Sequence, residues 1–380
     1  MIEATREHPV DIDSLRALAT SSIELIERLQ DASGAYPASP TFSAYRGYSW
    51  FRDGAFIADA MSSAGRVASA TAFFDWCSSI VLARRERIED IVGRAAAGNP
   101  APDREMLPTR FTLDGADGDD EWWDFQLDGY GTWLWAVVEH ARRHRIDLDR
   151  WAPALVLTVD YLLSSWSRPC FDWWEESADR VHVSTLGCIS AGLRSVAGSD
   201  VIDPTRLAQS TAVVDEIVAT IRERGSSDGH LTKWLGSTDV DASLLAMISP
   251  LDVVPVSDPL GLNTVATIER DLAQDGGVHR YRRDTFFGGG QWPLLTCFLG
   301  LADAARGSHD LAMDRLRWAA STADADEQLP EQVGWHLLDP TRVDEWTAKW
   351  GPVARPLLWS HAMYVRLAVE LGVTKVGRAA

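Results

Sequence analysis

Two stretches of this 380-residue chain contain acidic residues suited to acid–base chemistry. In FDWWEESADR (171–180), two tryptophans precede Glu175 and Glu176; in LPEQVGW (329–335), Glu331 lies in a long loop. Burial against aromatic rings raises the pKa of a carboxyl group, so Glu175 could donate a proton while Glu331 stays ionised. Hydrolysis of a glycosidic bond requires such a pair, one carboxyl on each side of the bond. The alternative is that the tryptophans are core residues and the acids end a helix.

Two further segments combine acids with aromatic rings, YRGYSWFRDGAF (45–56) and DDEWWDFQLDGYG (119–131). In the first, Asp53 could cap the helix that follows. Alternatively, Arg52 and Asp53 could bind vicinal sugar hydroxyls, since a guanidinium and a carboxylate together satisfy them. The second segment could be an acidic loop before a buried helix, or it could place Trp122 against a sugar.

Composition and missing motifs exclude several classes of function. The net charge of −19 repels nucleic acid and anionic lipid, so neither is an expected partner. The first ten residues do not form a signal peptide, and no apolar stretch reaches the roughly 20 residues that span a bilayer. We therefore expect a cytoplasmic protein with reduced, buried thiols at Cys77, Cys170, Cys188 and Cys297. The sequence contains no P-loop and no HExxH motif, and its histidines do not have the spacing of metal ligands. We therefore expect neither a metal nor a cofactor.

Hydrophobic periodicity predicts a chain of helices. Helices are expected over 14–30 and 354–371, and over 203–225, where Asp203 would be the N-cap. Further helices are expected near 54–66, 69–92, 126–145, 149–166, 182–198, 241–248, 260–273, 290–306 and 308–321. About twelve helices without a large sheet favour six helical hairpins closed into an all-α (α/α)6 barrel. In this fold the inner helices are apolar on all sides, as 290–304 is.

The connections between these helices are the candidates for function. Loops longer than about 12–15 residues are usually functional or disordered. The long connections are 31–52, 93–125, 167–181, 274–289 and 322–353. They contain the acidic and aromatic segments, so we expect the site where these loops meet, at one end of the barrel. Short strands could lie within 178–185 or 228–235.

The chain resembles glycoside hydrolase family 15, the glucoamylase and glucodextranase group, over nearly its whole length. The motifs in family order are YSWFRDGAF, QLDGYG, WWEES, VDASLL, HRYRRDTFFGGGQWPL, LPEQ and PLLWSHA. The resemblance implies an (α/α)6 barrel that hydrolyses terminal α-D-glucosyl units with inversion and releases β-glucose.

The resemblance also implies roles for individual residues. Glu175 is similar to the general acid and Glu331 to the general base, while Tyr45 resembles the pocket tyrosine near the attacking water. We further consider Tyr45 as an auxiliary base. The implied substrate-binding residues are Trp50, Arg52, Asp53, Trp122, Trp174, Glu176, Arg280 and Trp359. Among these, the Arg52–Asp53 pair resembles the clamp on the non-reducing-end hydroxyls, and Glu176 the acid that contacts the next sugar.

Three departures from the family bear on the substrate. We expect one catalytic domain over 1–380, without an N-terminal β-sandwich and without a starch-binding module. Phe286 and Phe287 replace the usual tyrosine pair, which removes hydroxyls that could bond to Tyr45 or to the second sugar. These features favour isomaltose or short α-1,6-linked gluco-oligosaccharides over maltose-type α-1,4 substrates or trehalose. The expected assembly is a monomer or a small homo-oligomer.

Two alternatives from other classes remain at this point. One is a carbohydrate-binding toroid that retains the tryptophans but has no activity. The other is a helical scaffold in which all the tryptophans belong to the core.

Overall fold

The computed structural model describes residues 11–120, 122 and 125–374, and most of this part of the chain is helical. None of its helices is both long enough and apolar enough to cross a membrane. Its α-helices are α1 (Ile12–Leu29), α2 (Phe51–Ser63), α3 (Val67–Ala83), α4 (Arg85–Ala96), α5 (Asp128–His144), α6 (Ala152–Ser165), α7 (Val183–Ala197), α8 (Pro204–Arg224), α9 (Leu245–Ile248), α10 (Pro259–Leu272), α11 (Pro293–Ala305), α12 (His309–Ser321), α13 (Val343–Trp350) and α14 (Leu358–Glu370).

Twelve of these helices form two concentric rings. The inner ring runs α2, α5, α7, α9, α11 and α14, and it closes because α14 packs back against α2. The outer helices α1, α3, α6, α8, α10 and α12 each pack against an inner helix. The chain alternates between the rings, one outer helix leading to one inner helix. This arrangement confirms the predicted (α/α)6 barrel.

Burial of the helices follows the two rings. All thirteen residues of α2 are buried, whereas only Ser210, Ile217 and Ile221 of the 21 residues in α8 are. An inner helix has neighbours on all sides and must be apolar or small-sided around its whole circumference. The segment from Pro293 to Ala304 is buried at every position, so the prediction of an inner helix at 290–304 is confirmed. The four cysteines are buried free thiols, as expected.

Three short antiparallel strand pairs accompany the helices: β1 (Tyr48–Trp50) with β2 (Arg110–Thr112), β3 (Ser226–Ser227) with β4 (His230–Leu231), and β5 (Ala273–Gln274) with β6 (Gly277–Val278). The strand expected within 228–235 is present as β4. The prediction of a strand within 178–185 is wrong, because α7 begins at Val183. Only one isolated bridge, His182 to Trp234, forms in that segment.

Two predicted boundaries also need correction. The single helix expected over 69–92 is two helices, α3 and α4, separated at Arg84, whose backbone leaves the helical region with ψ 17°. The loop expected over 322–353 contains α13. The large apolar residues of α13, Val343, Trp346 and Trp350, have helical spacing, but the helix has only eight residues, fewer than the roughly 11–18 over which such a pattern is recognised.

The connections that run from an inner to an outer helix are much shorter than those that run from an outer to an inner helix. Those from an inner helix to the next outer helix are short: 64–66, 145–151, 198–203, 249–258 and 306–308. Those from an outer to an inner helix are long: 30–50, 84–127, 166–182, 225–244, 273–292 and 322–357. Because the chain alternates between rings, all long connections lie at one end of the barrel. The N-termini of the inner helices meet there.

The start of α8 offers a test of a helix cap. Asp203 Oδ1 accepts the backbone N–H groups of Thr205 and Arg206 at 2.9 and 3.0 Å, as the sequence predicted for an N-cap. We expect Asp203→Ala to lower the free energy of unfolding by about 1 kcal/mol, measured by denaturant titration. Asp203→Asn retains a capping oxygen and should lose less. Equal losses in the two variants would contradict this role of the cap.

Candidate active site

A cavity of about 220 Å³ opens at the end of the barrel where the long connections meet. All the residues that the sequence proposed for the site line it: Tyr45, Trp50, Arg52, Asp53, Trp122, Trp174, Glu175, Glu176, Arg280, Glu331 and Trp359. They come from five of the six outer-to-inner connections and from the first turns of α2 and α14. Residues up to 314 positions apart in sequence therefore share one cavity.

The segment that contains Glu175 is a tight turn organised by Asp172. The Asp172 carboxylate accepts hydrogen bonds from the backbone N–H groups of Trp174 and Glu176 at 3.0 and 2.9 Å. The Asp172 backbone carbonyl accepts one from the Glu175 N–H at 3.0 Å. Glu175 has φ of 63°, a left-handed conformation that strains a residue with a side chain. Such strain persists where the surrounding contacts impose it, and it is frequent at functional sites.

The Glu175 side chain is half-buried on the cavity wall, and its carboxyl is hydrogen-bonded there. Its Oε1 accepts from the Trp50 indole N–H at 2.7 Å and from the Gln126 amide at 3.3 Å. Burial raises the pKa of Glu175. The positive charge of Arg52 opposes this shift, as do the hydrogen bonds from Trp122, Trp50 and Gln126. The net rise makes Glu175 a better proton donor near neutral pH than a solvated glutamate.

The Glu331 carboxyl lies on the same cavity and is only 2% exposed. The Tyr45 hydroxyl donates to Glu331 Oε1 at 2.8 Å. Burial raises the pKa of Glu331, and the negative charges of Asp53 and Asp284 add to the rise. The Tyr45 hydrogen bond and the Arg280 charge lower it. The ionised form of Glu331 therefore depends on Tyr45 and Arg280.

A buried ion pair forms the floor of the cavity at the start of α2. The N-cap of α2 is Trp50, so the alternative in which Asp53 caps this helix is wrong. Arg52 Nη1 donates to Gln126 at 2.6 Å and to Asp128 at 3.0 Å, and its Nε lies 3.3 Å from Asp53 Oδ2. Burial raises the pKa of Asp53, and Arg52 opposes that shift. This floor presents both a cation and a carboxyl to a ligand.

Glu176 belongs to a second charged cluster at the side of the cavity, and 36% of its side chain is exposed. The Tyr281 hydroxyl donates to Glu176 Oε2 at 2.6 Å, and Arg280 lies 3.6 Å from Glu176 Oε1. Lys233 Nζ lies 3.7 Å from Glu176 and 3.2 Å from Asp241. These contacts hold a carboxylate at the cavity wall, where it can accept hydrogen bonds from a polyhydroxylated ligand.

Tryptophans form most of the remaining wall. Trp174 donates its indole N–H to Asp241 at 3.0 Å and lies 5.6 Å from Trp292, measured between ring centroids. Trp359, on α14, stacks on Phe56 and faces the Arg52 guanidinium at 5.6 Å. Stacked and edge-on indoles present flat apolar surface, which suits the CH faces of a sugar.

Trp122 lies on the opposite side, at 6.2 Å from Trp50 between centroids. It also faces Trp350 at the end of α13, at 6.0 Å. The neighbouring positions 121, 123 and 124 of the predicted segment lie outside the described residues. Trp122 therefore links the loop before α5 to α13 across the cavity mouth.

The phenylalanine pair occupies two different environments. Phe286 lines the cavity and packs against Trp346 at 5.0 Å, whereas Phe287 is buried and lies 6.3 Å from Phe42. Tyr45 makes its hydrogen bond to Glu331 instead of to a neighbouring phenol. The pair thus makes this side of the cavity apolar.

Sequence reasoning missed one connection and several wall residues. The connection 225–244 contributes Lys233 and Asp241, which support Glu176 and Trp174. The missed lining residues are Ala38, Phe42, Trp173, Phe286, Trp292, Trp346, Trp350 and Leu357. The VDASLL and GGGQWPL motifs pointed to Asp241 and Trp292. No local pattern marked Lys233, because its partners come from other connections.

The cavity provides acid–base chemistry on a neutral ligand. It combines two carboxyls with raised pKa values, a buried ion pair and aromatic walls. Across residues 11–120, 122 and 125–374, no group of three or more His, Cys, Asp or Glu side chains is arranged to hold a metal ion.

Comparison with protein families identifies the class of enzyme. Residues 13–335 match the model of glycosyl hydrolases family 15. The chain belongs to this family. As a family 15 member it is a glycoside hydrolase, and the resemblance found in the sequence motifs is confirmed.

Individual relatives agree with this assignment. The isomaltose glucohydrolase of Kribbella flavida is 51% identical over 367 residues, which cover 96% of this chain and 94% of that protein. A solved wild-type glycosidase superposes with a TM-score of 0.94 at 50% identity, covering 96% of this chain and 98% of its own. A variant of that glycosidase was solved in complex with glucose. A bacterial glucoamylase complexed with acarbose shares the fold, with a TM-score of 0.74 at 20% identity over 94% of this chain and 56% of its own.

Proposed function

We propose that this enzyme is an inverting, exo-acting α-glucosidase that releases β-D-glucose from the non-reducing ends of short α-glucosides. The preferred substrates are isomaltose and short α-1,6-linked gluco-oligosaccharides. The observation that carries the proposal is that Glu175 and Glu331 line one cavity whose floor is a buried ion pair. The similarity to an isomaltose glucohydrolase over 96% of the chain supports the choice of substrate.

The closed floor explains why the enzyme would act on chain ends. Arg52 and Asp53 are 3% and 8% exposed and lie on an inner helix, so a glucan chain cannot pass beyond them. A terminal glucose that reaches the floor exchanges the water around its hydroxyls for a guanidinium and a carboxyl. Trp50 and Trp359 then enclose its apolar faces.

In the proposed mechanism Glu175 is the general acid. Burial raises its pKa, which keeps its proton available for the glycosidic oxygen. The hydrogen bonds from Trp50 and Gln126 to Oε1 fix the carboxyl and stabilise the carboxylate left after proton transfer. The surroundings of Glu175 would therefore need little reorganisation when it transfers its proton.

Glu331 is the general base in this mechanism. Once ionised, it removes a proton from a water that attacks the anomeric carbon from the face opposite the leaving group. An inverting enzyme needs carboxyls about 6.5–9.5 Å apart to hold that water. Attack from the opposite face gives the β-anomer of glucose.

Tyr45 serves as a hydrogen-bond donor to Glu331, which replaces our hypothesis of an auxiliary base. Burial raises the pKa of Tyr45 well above its ordinary value, and the charges of Glu331 and Glu175 add to this rise. The phenol therefore keeps its proton in the working range of pH. Its bond favours the ionised form of Glu331, the form that a general base needs.

The second sugar would lie between Glu176, Arg280 and the ring of Trp174. Glu176 accepts from Tyr281 and has part of its carboxylate exposed to the cavity. Phe286 and Trp346 provide an apolar surface nearby. The α-1,6 linkage adds a methylene group between the sugars, and an apolar wall suits this group better than a phenol would.

A panel of glucose disaccharides tests the proposal. We expect isomaltose to give the highest kcat/KM, above maltose and trehalose, with β-glucose as the first product in proton NMR of fresh reaction mixtures. The initial appearance of α-glucose would contradict inversion. A higher kcat/KM for trehalose or maltose would contradict the proposed substrate, and the absence of glucose release from every disaccharide would favour a binding protein.

The roles of the two carboxyls are tested by substitution. Glu175→Gln and Glu331→Gln keep the side-chain shape and remove the titrating group, and each should reduce kcat by several orders of magnitude. Glu139→Gln is the control and should leave kcat unchanged, because Glu139 lies toward the C-terminal end of α5, pairs with Arg142 and does not line the cavity. Near-normal turnover of the isomaltose substrate by either cavity variant would remove that residue from its role.

Tyr45→Phe gives a prediction about pH dependence. The variant loses a hydrogen bond that lowers the pKa of Glu331, so this pKa should rise. A base works only when ionised, so activity falls as pH decreases through its pKa. The acid limb of kcat/KM should therefore move to higher pH in Tyr45→Phe. An acid limb that stays in place or moves to lower pH would show that Tyr45 does not tune Glu331.

A further inference from the structure

The motif PLLWSHA (356–362) opens α14 and contains two polar residues that do not line the cavity. The Ser360 hydroxyl donates to the Pro330 carbonyl at 2.8 Å. The Leu329 backbone N–H donates to His361 Nε2 at 2.9 Å. Ser360 and His361 are both fully buried. They bind the two residues that immediately precede Glu331.

The hydrogen bonds of His361 define its tautomer. A backbone N–H can only donate, so Nε2 is unprotonated and the neutral ring has its proton on Nδ1. Nδ1 lies 2.8 Å from the Ser22 hydroxyl and donates to it. Burial lowers the pKa of His361 to about 3, against a small opposing effect of Asp324, so the ring stays neutral at working pH. A continuous chain of bonds thus runs from α1 through α14 to the loop of Glu331.

The side chain of Glu331 depends on its backbone for its position. Its Oε1 accepts from Tyr45, whereas Oε2 is buried and has no hydrogen-bond partner among the described residues. The Glu331 N–H donates to the Ala354 carbonyl at 2.9 Å, and the Leu357 N–H donates to the Leu329 carbonyl at 3.0 Å. Ala354 and Leu357 belong to the long connection 322–357. The bonds from Ser360 and His361 come from a barrel helix.

We propose that His361 and Ser360 are positioning residues for Glu331: by holding Leu329 and Pro330 against α14, they place the carboxyl toward the attacking water. Neither residue touches the substrate. This inference rests on the proposed role of Glu331 as the general base. A displacement of about 1 Å at a reacting group is enough to reduce turnover by about 100-fold.

The first test compares His361→Leu with His361→Gln. His361→Leu leaves the Leu329 N–H without an acceptor, and we expect kcat to fall about 10- to 100-fold with little change in KM, because the Arg52–Asp53 floor remains intact. Loss of the Tyr45–Glu331 alignment should also move the acid limb of kcat/KM to higher pH. The side-chain oxygen of His361→Gln can accept from Leu329 and should restore most of kcat. Unchanged kcat and acid limb in folded His361→Leu would overturn the proposal.

His140→Leu is the matched control for the loss of a buried histidine. His140 lies on α5, where its nitrogens lie 2.9 and 3.0 Å from the hydroxyls of Ser62 and Thr71. This variant should lose stability in denaturant titration while kcat and the acid limb stay at their original values. Equal changes of kcat in His140→Leu and His361→Leu would mean that the effect is general destabilisation, and this would overturn the proposal.

A milder variant covers the case in which His361→Leu does not fold. Ser360→Ala removes one hydrogen bond and should lower kcat less, with the same direction of the acid-limb shift. A Ser360→Ala enzyme identical to the original in both measurements would overturn the proposal.

Glu331→Gln separates the two levels of inference. If it is inactive and the His361 and Ser360 variants are normal, only the positioning role fails; if it is active, the proposed function fails.

Discussion

The rest of the site depends on the interactions of one buried group, the Arg52 guanidinium. It lies on α2 and bonds to Asp128 on α5 and to Gln126, so it connects two neighbouring inner helices. Gln126 in turn donates to Glu175. A cation buried in this way is stable only when carboxylates surround it, and Asp53 and Asp128 supply this charge. Arg52 is also the strongest influence that opposes the raised pKa of Glu175.

The apolar walls make these charges effective. The indoles make the cavity wall apolar, and electrostatic interactions are several times stronger in an apolar environment than in solvent. The same burial raises the pKa values of the Glu175 and Glu331 carboxyls. Glu175 has the two donors Trp50 and Gln126, whereas Glu331 has Tyr45. Because hydrogen-bond donors stabilise a carboxylate, these partners hold both pKa values below the level that burial alone would give.

The barrel and much of the site could be predicted from the sequence because they depend on local patterns. Periodicity marked the helices, and the motifs before inner helices contained the residues that line the cavity. The remainder depends on contacts between distant segments. Lys233 acts through Glu176 and Asp241, which belong to other connections, and its own segment has no distinguishing motif. Helix α13 was missed because its eight residues are too few for an apolar pattern to be recognised in the sequence.

The topology of the barrel explains why one end holds all of the chemistry. Every inner helix begins at the end of the barrel that contains the cavity, so the positive ends of the inner-helix dipoles face that end. Asp53 lies in the first turn of α2, Asp128 begins α5, and Asp241 caps the turn before α9. Each such placement stabilises a carboxylate by about 0.3–1 kcal/mol, which partly offsets the cost of burying it. The opposite end of the ring has the negative helix termini and short connections. A cluster of buried acids is therefore least costly at the end where the chain also has the longest loops to supply them.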